Sequence, residues 1–299
     1  MTTAELRRKV LQLELRARKT MNLVTTGAYR SAFRGKGVEF EEIREYFPGD
    51  DTRSIDWNVT ARLGRPHLKR FSEEREQTLM FLVDVSSSTL FGSGVVSSRD
   101  PLGARKIDAI AELFAVLSLV AVSIGDEVGL ILFTNDVELY VPPAKGIVHV
   151  QRMIREVLAF EPRGTVTNIA GALEFLTKVR RKRAFVFLIS DFLTEPFERE
   201  LRTSAARHDL VAISVFDARE AALPDCGLME FEDSESGAHG FLDTNDPHVR
   251  DAFEIAAKQR RERLESVFRS VGVDHLRVQA GSDFIPQLAR FLRAHAKAA

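Results

Sequence analysis

Short apolar runs, separated by stretches in which apolar residues recur every three or four positions, give the chain its clearest pattern. Leu79 to Val83, Val128 to Phe133, Ala184 to Ile189 and Leu210 to Phe216 are nearly continuous in Val, Ile, Leu and Phe. That composition belongs to strands covered on both faces of a parallel sheet. Between the first two, Ile107, Ile110, Phe114, Leu117, Ala121 and Ile124 alternate by threes and fours, which predicts a long helix with one apolar face ending at Gly125. Val137 to Val141 alternates apolar with polar after a short Thr134-Asn135-Asp136 turn, which predicts a hairpin and an edge strand. Strands alternating with helices of this length predict a Rossmann-like α/β fold with a doubly wound, mainly parallel sheet.

The flanks differ. Residues 3 to 22 place Leu6, Val10, Leu13 and Leu15 among many Arg, Lys and Glu, the pattern of an amphipathic surface helix. From Gly27 to Arg75 the chain breaks into short charged segments punctuated by Gly, Pro and Asp, which cannot easily build a core of their own. We therefore divide the chain into an N-terminal helix and charged extension, 1–76, packed on a core domain of 77–299. Within that domain a hairpin is expected around 226–244, then a charged helix from about Pro247 to Ser270, a strand over Val273 to Val278, and a closing helix carrying Phe284, Leu288, Phe291 and Leu292. There is no internal repeat.

Composition narrows the function. With 299 residues, 44% hydrophobic and 28% charged, the chain is long enough for a large core. A formal net charge of −1 argues against non-specific binding of nucleic acid or membrane surfaces, which needs excess Lys and Arg. The single cysteine, Cys226, excludes an internal disulfide and a Cys-based zinc site. The N-terminus lacks the apolar stretch of a signal peptide, and no run approaches the roughly 18 apolar residues of a membrane span. The expectation is a cytoplasmic protein with no nucleic-acid partner and no direct membrane span.

In such a sheet, ligands gather where loops leave the carboxyl ends of strands at the switch point. Three of these loops hold oxygen donors. The first strand runs into Asp84-Val85-Ser86-Ser87-Ser88, with a carboxylate and two hydroxyls on alternate residues. The strand ending at Ile189 delivers Ser190-Asp191-Phe192, and Arg163 to Ile169 supplies Thr165 and Thr167 ahead of a helix over Ala170 to Val179. Carboxylate and hydroxyl oxygens without His or Cys suit a hard cation, Mg²⁺ first, with Mn²⁺ or Ca²⁺ as alternatives. Two carboxylates balance such an ion without surplus, so an open position should still attract an acidic group from a partner. Each piece also has a plainer reading: Asp191 as a turn residue, the serines as loop caps, a threonine as the helix N-cap.

These residues resemble the metal-ion-dependent adhesion site of von Willebrand factor A domains, whose pattern is Asp-x-Ser-x-Ser, then a Thr, then an Asp. Asp84, Ser86, Ser88, Thr167 and Asp191 match it in order and spacing. Thr167 is preferred to Thr165 because Thr167-Asn168-Ile169-Ala170 ahead of Ala172-Leu173 is similar to that family's helix start. Upstream, Gly37-Val38-Glu39-Phe40, Arg44-Glu45-Tyr46, Pro48-Gly49-Asp50-Asp51, Arg53-Ser54-Ile55-Asp56-Trp57 and Ala61-Arg62, with Lys69 and Glu73-Glu74-Arg75, resemble the signature of the bacterial domain-of-unknown-function fifty-eight family. Together the similarities cover nearly the whole chain. They imply a non-catalytic protein-binding module whose metal ion accepts a partner's acidic residue, working with a MoxR-type AAA+ ATPase as an adaptor or assembly factor. The chain departs from the pattern at Phe91 to Ser98, a Gly/Ser-rich insertion beside the site.

Two rivals stand beside this. A metal-dependent phosphohydrolase or other Rossmann-like enzyme also places Asp at strand ends, but no Gly-rich phosphate motif follows a strand and Ser86 stands where a second carboxylate would be needed. A scaffold with a vestigial site is the other. In the charged segment around Asp50, Asp51, Arg53, Asp56 and Arg62, the expectation is a structural hydrogen-bonded network with Trp57 buried in it; the alternative is a recognition surface beside the metal with Trp57 and an Arg as anchors.

Overall fold

Antiparallel pairing opens the fold. The computed structural model describes residues 8, 10–13, 15–16, 39–47, 50–52, 55–72, 77–93, 105–194, 196–233 and 237–298. The chain divides into two compact units, residues 33–77, and residues 1–32 together with 78–299.

In the smaller unit β1 (Glu39–Glu45) pairs with β2 (His67–Ser72), with a slip in register between Phe40 and Glu42. Between them, α1 (Trp57–Leu63) is started by Asp56, whose carboxylate accepts the N–H of Asn58 at 2.9 Å and of Val59 at 3.3 Å. Gly64, at φ 71°, stops it. The guanidinium of Arg44 grips Asp50 through two bonds of 2.7 and 2.9 Å, and the Phe47 N–H adds a third, holding that carboxyl below its usual range. Trp57 is not buried as expected: it is 70% exposed, because α1 is two turns long and buries none of its residues. Residues 37–38, 48–49, 53–54 and 73–76, and the side chains of 39–43 and 69, lie outside the described residues.

The larger unit runs β3 (Thr78–Asp84), α2 (Lys106–Ser123), β4 (Glu127–Phe133), β5 (Val137–Ala144), α3 (Ile147–Ala159), α4 (Ile169–Val179) and β6 (Phe185–Ser190). It continues with α5 (Glu198–Arg207), β7 (Asp209–Phe216), β8 (Leu228–Glu232), β9 (His239–Asp243), α6 (Pro247–Val271), β10 (Asp274–Gln279) and α7 (Ile285–Ala298). Six strands form one sheet in the order β10-β7-β6-β3-β4-β5, parallel except for β5, which returns antiparallel along the edge and carries Pro142 and Pro143 ahead of its last residue, Ala144. The winding leaves β3 toward β4 and β5, then resumes at β6 and proceeds the other way. The switch point therefore lies between β3 and β6, and the loops after Asp84 and Ser190 open into it. β8 and β9 form a separate hairpin.

Both faces of the sheet are covered. On one, Phe81 meets Phe114 of α2 edge-to-face at 4.9 Å, and Phe185 meets His295 of α7 at 5.5 Å, with α3 lying along α2. On the other, Met80, Leu82, Val186 and Leu188 pack against Ile169 and Leu173 of α4, Leu201 of α5 and Phe268 of α6. The expected one-sided stripe of α2 gives way to burial all round, since the helix lies between the sheet and α3; even Ser118 is buried and turns its hydroxyl back to the Ala115 carbonyl. At the N-terminus Val10 and Leu13 are buried and Leu15 is exposed, while Leu6 lies outside the described residues. Among the described residues, no helix is long and apolar enough to cross a membrane.

Candidate metal centre

β3 ends in a tight turn that folds its own hydroxyls back toward Asp84. The Val85 N–H makes one more ladder bond, to Phe133, at 3.0 Å. The chain then turns: the Ser86 N–H donates to Asp84 Oδ1 at 2.9 Å, and the Thr89 N–H and hydroxyl both donate to the Ser86 carbonyl. This curl brings Ser86 Oγ and Ser88 Oγ to 3.1 Å from each other, with Asp84 and Ser86 fully buried and Ser88 nearly so.

The second loop is held in place by the turn between β4 and β5. Glu138 Oε1 accepts from the N–H of Arg163 at 3.0 Å, the N–H of Gly164 at 2.9 Å and the Thr134 hydroxyl at 2.8 Å. Burial works against its ionisation, yet these donors and the charge of Arg163 keep its carboxyl below the usual range. Gly164 is required here by close approach: a Cβ would sit 1.7 Å from Asn135 Oδ1 and 2.3 Å from Thr134 Oγ1. So fastened, the loop delivers Thr167 Oγ1 to 2.8 Å from Ser86 Oγ and 3.3 Å from Asp84 Oδ2. Thr165 stays exposed and contributes only its carbonyl, to the Ser87 N–H at 3.1 Å. Neither threonine caps α4; Asn168 does, accepting the Gly171 N–H at 2.9 Å.

The third loop follows β6. Ser190 donates its hydroxyl to Asp84 Oδ2 and accepts the Phe192 N–H at 2.9 Å. Asp191 Oδ1 accepts the Leu193 N–H at 3.1 Å, as a turn residue would. Phe192 has φ 58°, the left-handed region that non-glycine residues rarely enter. Its ring is buried, 5.1 Å from Phe268 and 5.7 Å from Phe197.

Asp84, Ser86, Ser88 and Thr167 are thus joined in one hydrogen-bonded group, while Asp191, on the adjacent loop, is bonded to a residue outside the candidate set. Lys106, the first residue of α2, is fully buried, and its ammonium lies 2.6 Å from Asp191 Oδ2 and 2.5 Å from Glu220 Oε1. Its main-chain N–H donates to the carbonyl of Phe91, where the Gly/Ser-rich insertion begins; residues 94–104 lie outside the described residues. Glu220 is aimed by a capping box after β7, in which Asp217 accepts from Arg219 and Glu220 accepts the Asp217 N–H at 3.0 Å. Ser93 also fastens to Asp217 through its N–H and hydroxyl.

The electrostatics follow from this burial. Loss of hydration, and then the charge of Asp191, push the Asp84 carboxyl up to about 6, although Ser190 and Ser86 donate to it. Burial opposes the charge on Lys106, but Asp191 and Glu220 outweigh it and raise the ammonium above its usual range. With all groups ionised, three carboxylates against one ammonium leave two negative charges. Three hydroxyls and carboxylate oxygen form a hard donor set, and a divalent ion would balance that charge. Carboxylates alone form no cage: among the described residues no group of three or more His, Cys, Asp or Glu is placed to hold a metal. Any ion here depends on Ser86, Ser88 and Thr167.

Over residues 42–263 the chain matches the family described as protein of unknown function DUF58. It is 32% identical over 290 residues to an uncharacterised protein of Mycobacterium tuberculosis, across 96% of this chain and 89% of that one. Two solved structures are also similar. One is an aerotolerance-related membrane protein from Bacteroides fragilis, 14% identical with a TM-score of 0.49. The other is the conserved hypothetical protein BatB from Bacteroides thetaiotaomicron, 15% identical with a TM-score of 0.45; each match spans 75% of this chain and 100% of the other.

Proposed function

This chain belongs to the DUF58 family of proteins of unknown function, and from that premise we propose that it is a von Willebrand factor A-type module that binds a protein partner through a metal ion and is not an enzyme. The observation that carries the reading is the convergence of Asp84, Ser86, Ser88 and Thr167 from two loops at the switch point of the sheet. The ion is Mg²⁺, with Mn²⁺ or Ca²⁺ as alternatives of the same hard class. Asp84, Ser86, Ser88, Thr167 and Asp191 hold it, and an Asp or Glu of the partner completes its coordination. When bound, the ion supplies a fixed positive charge for that acidic group. The partner machinery is a MoxR-type AAA+ ATPase, with which the module works as an adaptor or assembly factor.

Binding is favoured over phosphoryl chemistry because Ser86 stands where that chemistry would need a second carboxylate and no Gly-rich phosphate motif follows a strand. Asp84 accepts from Ser86, Ser190 and Thr167, and Asp191 accepts from Lys106 and Leu193. These bonds fix the direction of both carboxylates, and each keeps lone-pair sites for an ion. The test is calorimetric titration of Mg²⁺, Mn²⁺ and Ca²⁺ into wild type and Asp84→Ala, followed by retention of a MoxR-type ATPase from the same source in Mg²⁺ and in chelator. Saturable binding by wild type, weakened at least about tenfold in a folded Asp84→Ala, together with metal-dependent retention, is expected. No binding of any of the three ions at millimolar concentration overturns the metal. Turnover of nitrophenyl phosphate that is lost in Asp84→Ala overturns the non-catalytic reading.

A further inference from the structure

Beside Asp191 and Glu220 the surface opens into a cleft of about 490 Å³ between α6, the ends of β7 and β10, and the loop after β6. That volume lies within the range of roughly 300–1,000 Å³ usual for ligand sites. Part of the lining is apolar, with Phe197 and Leu264, and part is cationic. Arg277 of β10 is half-buried, and its guanidinium lies 4.0 Å over the ring of Phe216. Stacking fixes the guanidinium plane while leaving its N–H donors for a planar anion. Arg277 makes no ion pair among the described residues. Burial and then the charge of Arg261 lower its pKa against the opposing charge of Glu265, so an anion there would relieve both. Arg261 and Lys258 stand three residues apart on the exposed part of α6, both lining the cleft; Arg261 holds Glu265 only loosely, at 3.9 Å. Asp191, Glu198, Glu220 and Glu254 also line the cleft, but Lys106 occupies Asp191 and Glu220, Arg202 holds Glu198 at 3.1 Å, and Arg260 and Arg263 add to the cations.

We propose that this cleft receives an acidic peptide segment of a protein partner, with an apolar side chain against Phe197 and Leu264 and Asp or Glu side chains on Arg277, Arg261 and Lys258. A peptide fits better than a small phosphate compound because the cations are spread along a helix and a strand and are carried on side chains, whereas a phosphate cradle gathers backbone N–H groups around one point. The inference rests on the proposed function in taking the occupant to be a protein, and it adds a recognition element that needs no metal.

The test is fluorescence anisotropy of a fluorescein-labelled decapeptide of alternating Glu and Leu, and of the same peptide with Gln for Glu. Both are titrated with the full chain as wild type, Arg277→Gln, the Lys258→Gln/Arg261→Gln pair and Asp84→Ala, in Mg²⁺ and in chelator. The acidic peptide should bind wild type, bind at least about tenfold more weakly to Arg277→Gln and to the paired variant, and weaken steeply with salt. The Gln peptide should not bind, and the loss in the cation variants should be the same in chelator as in Mg²⁺. Lys258 and Arg261 are exposed, so the paired variant answers the question if Arg277→Gln misfolds. Equal binding by wild type and the cation variants, equal binding of the two peptides, or full displacement by millimolar inorganic phosphate overturns the proposal. Binding lost in chelator and in Asp84→Ala but kept in the cation variants overturns the cleft and leaves the metal reading standing. Binding that follows the cation variants in a protein that takes up no metal has the reverse meaning.

Discussion

The ammonium of Lys106 lies 2.6 Å from a carboxylate oxygen of Asp191, and the two side chains are 0% and 1% exposed. An internal cation thus sits on a residue also proposed to face a divalent ion. Breaking a buried pair leaves an uncompensated charge and costs about 3–5 kcal/mol. Lys106→Met should lose stability on that scale in chelator, because Asp191 and Glu220 are left without their counter-charge. Mg²⁺ should restore more stability to the variant than it adds to wild type. Urea unfolding with and without Mg²⁺ measures both; equal losses in the two conditions would show that the ammonium and the ion do not share a task.

Thr167 and Thr165 differ by one turn of the loop and should differ sharply in effect. Thr167→Ala removes a hydroxyl that contacts both Ser86 and Asp84 inside the protein, a loss of about 1–2 kcal/mol. Metal affinity should fall with it. Thr165→Ala touches an exposed side chain and should stay within about 0.5 kcal/mol of wild type. Thermal melts and Mg²⁺ titration of the pair decide; equal behaviour would detach Thr167 from the site.

Gly164→Ala forces a Cβ onto Asn135 and Thr134, which sit where the second loop is fastened. Overpacking of this kind costs about 1–3 kcal/mol. Since the loop carries Thr167, metal affinity should drop in a protein that still folds. A variant with wild-type stability and affinity would mean that the fastening does not position Thr167.

His275 supplies a pH dependence. Burial, and then the charge of Arg277, push its imidazole down to about 4 from 6.5, with Ser214 as its hydrogen-bond partner at 2.8 Å. The unfolded chain therefore binds the proton more readily than the folded one across that interval. This contribution to stability is complete above 6.5 and is lost as pH falls toward 4. Urea midpoints should fall between about pH 7 and about pH 5, and fall less in His275→Gln. A His275 ring signal that titrates near its ordinary value in NMR would contradict the burial argument.

The central strands were legible because a parallel core strand is apolar on both faces, so β3, β4, β6 and β7 announce themselves without any partner in view. The first loop was legible for a similar reason: Asp84, Ser86 and Ser88 lie within five residues, and their hydrogen bonds are local. Lys106 and Glu220 were not. Lys106 meets partners 85 and 114 positions away, and a lysine next to Arg105 looks like one more solvated charge until the fold buries it. A weak signal existed for Glu220, since Asp217-Ala218-Arg219-Glu220 has the spacing of a capping box directly after a strand. Trp57 failed in the opposite direction. Burial of an aromatic ring is decided by the surface it meets, and neither its type nor its charged neighbours specify one.

Phe192 leaves the direction of Asp191 in the custody of two rings that make no hydrogen bond to it. A left-handed non-glycine residue costs roughly 1–2 kcal/mol, and here the clamped ring between Phe197 and Phe268 holds the chain in that state. The loop behaves as a sprung latch whose catch is in the core. Heating or core mutation that loosens Phe268 should therefore detune the carboxylate before the protein unfolds, so loss of metal binding on heating would precede thermal melting.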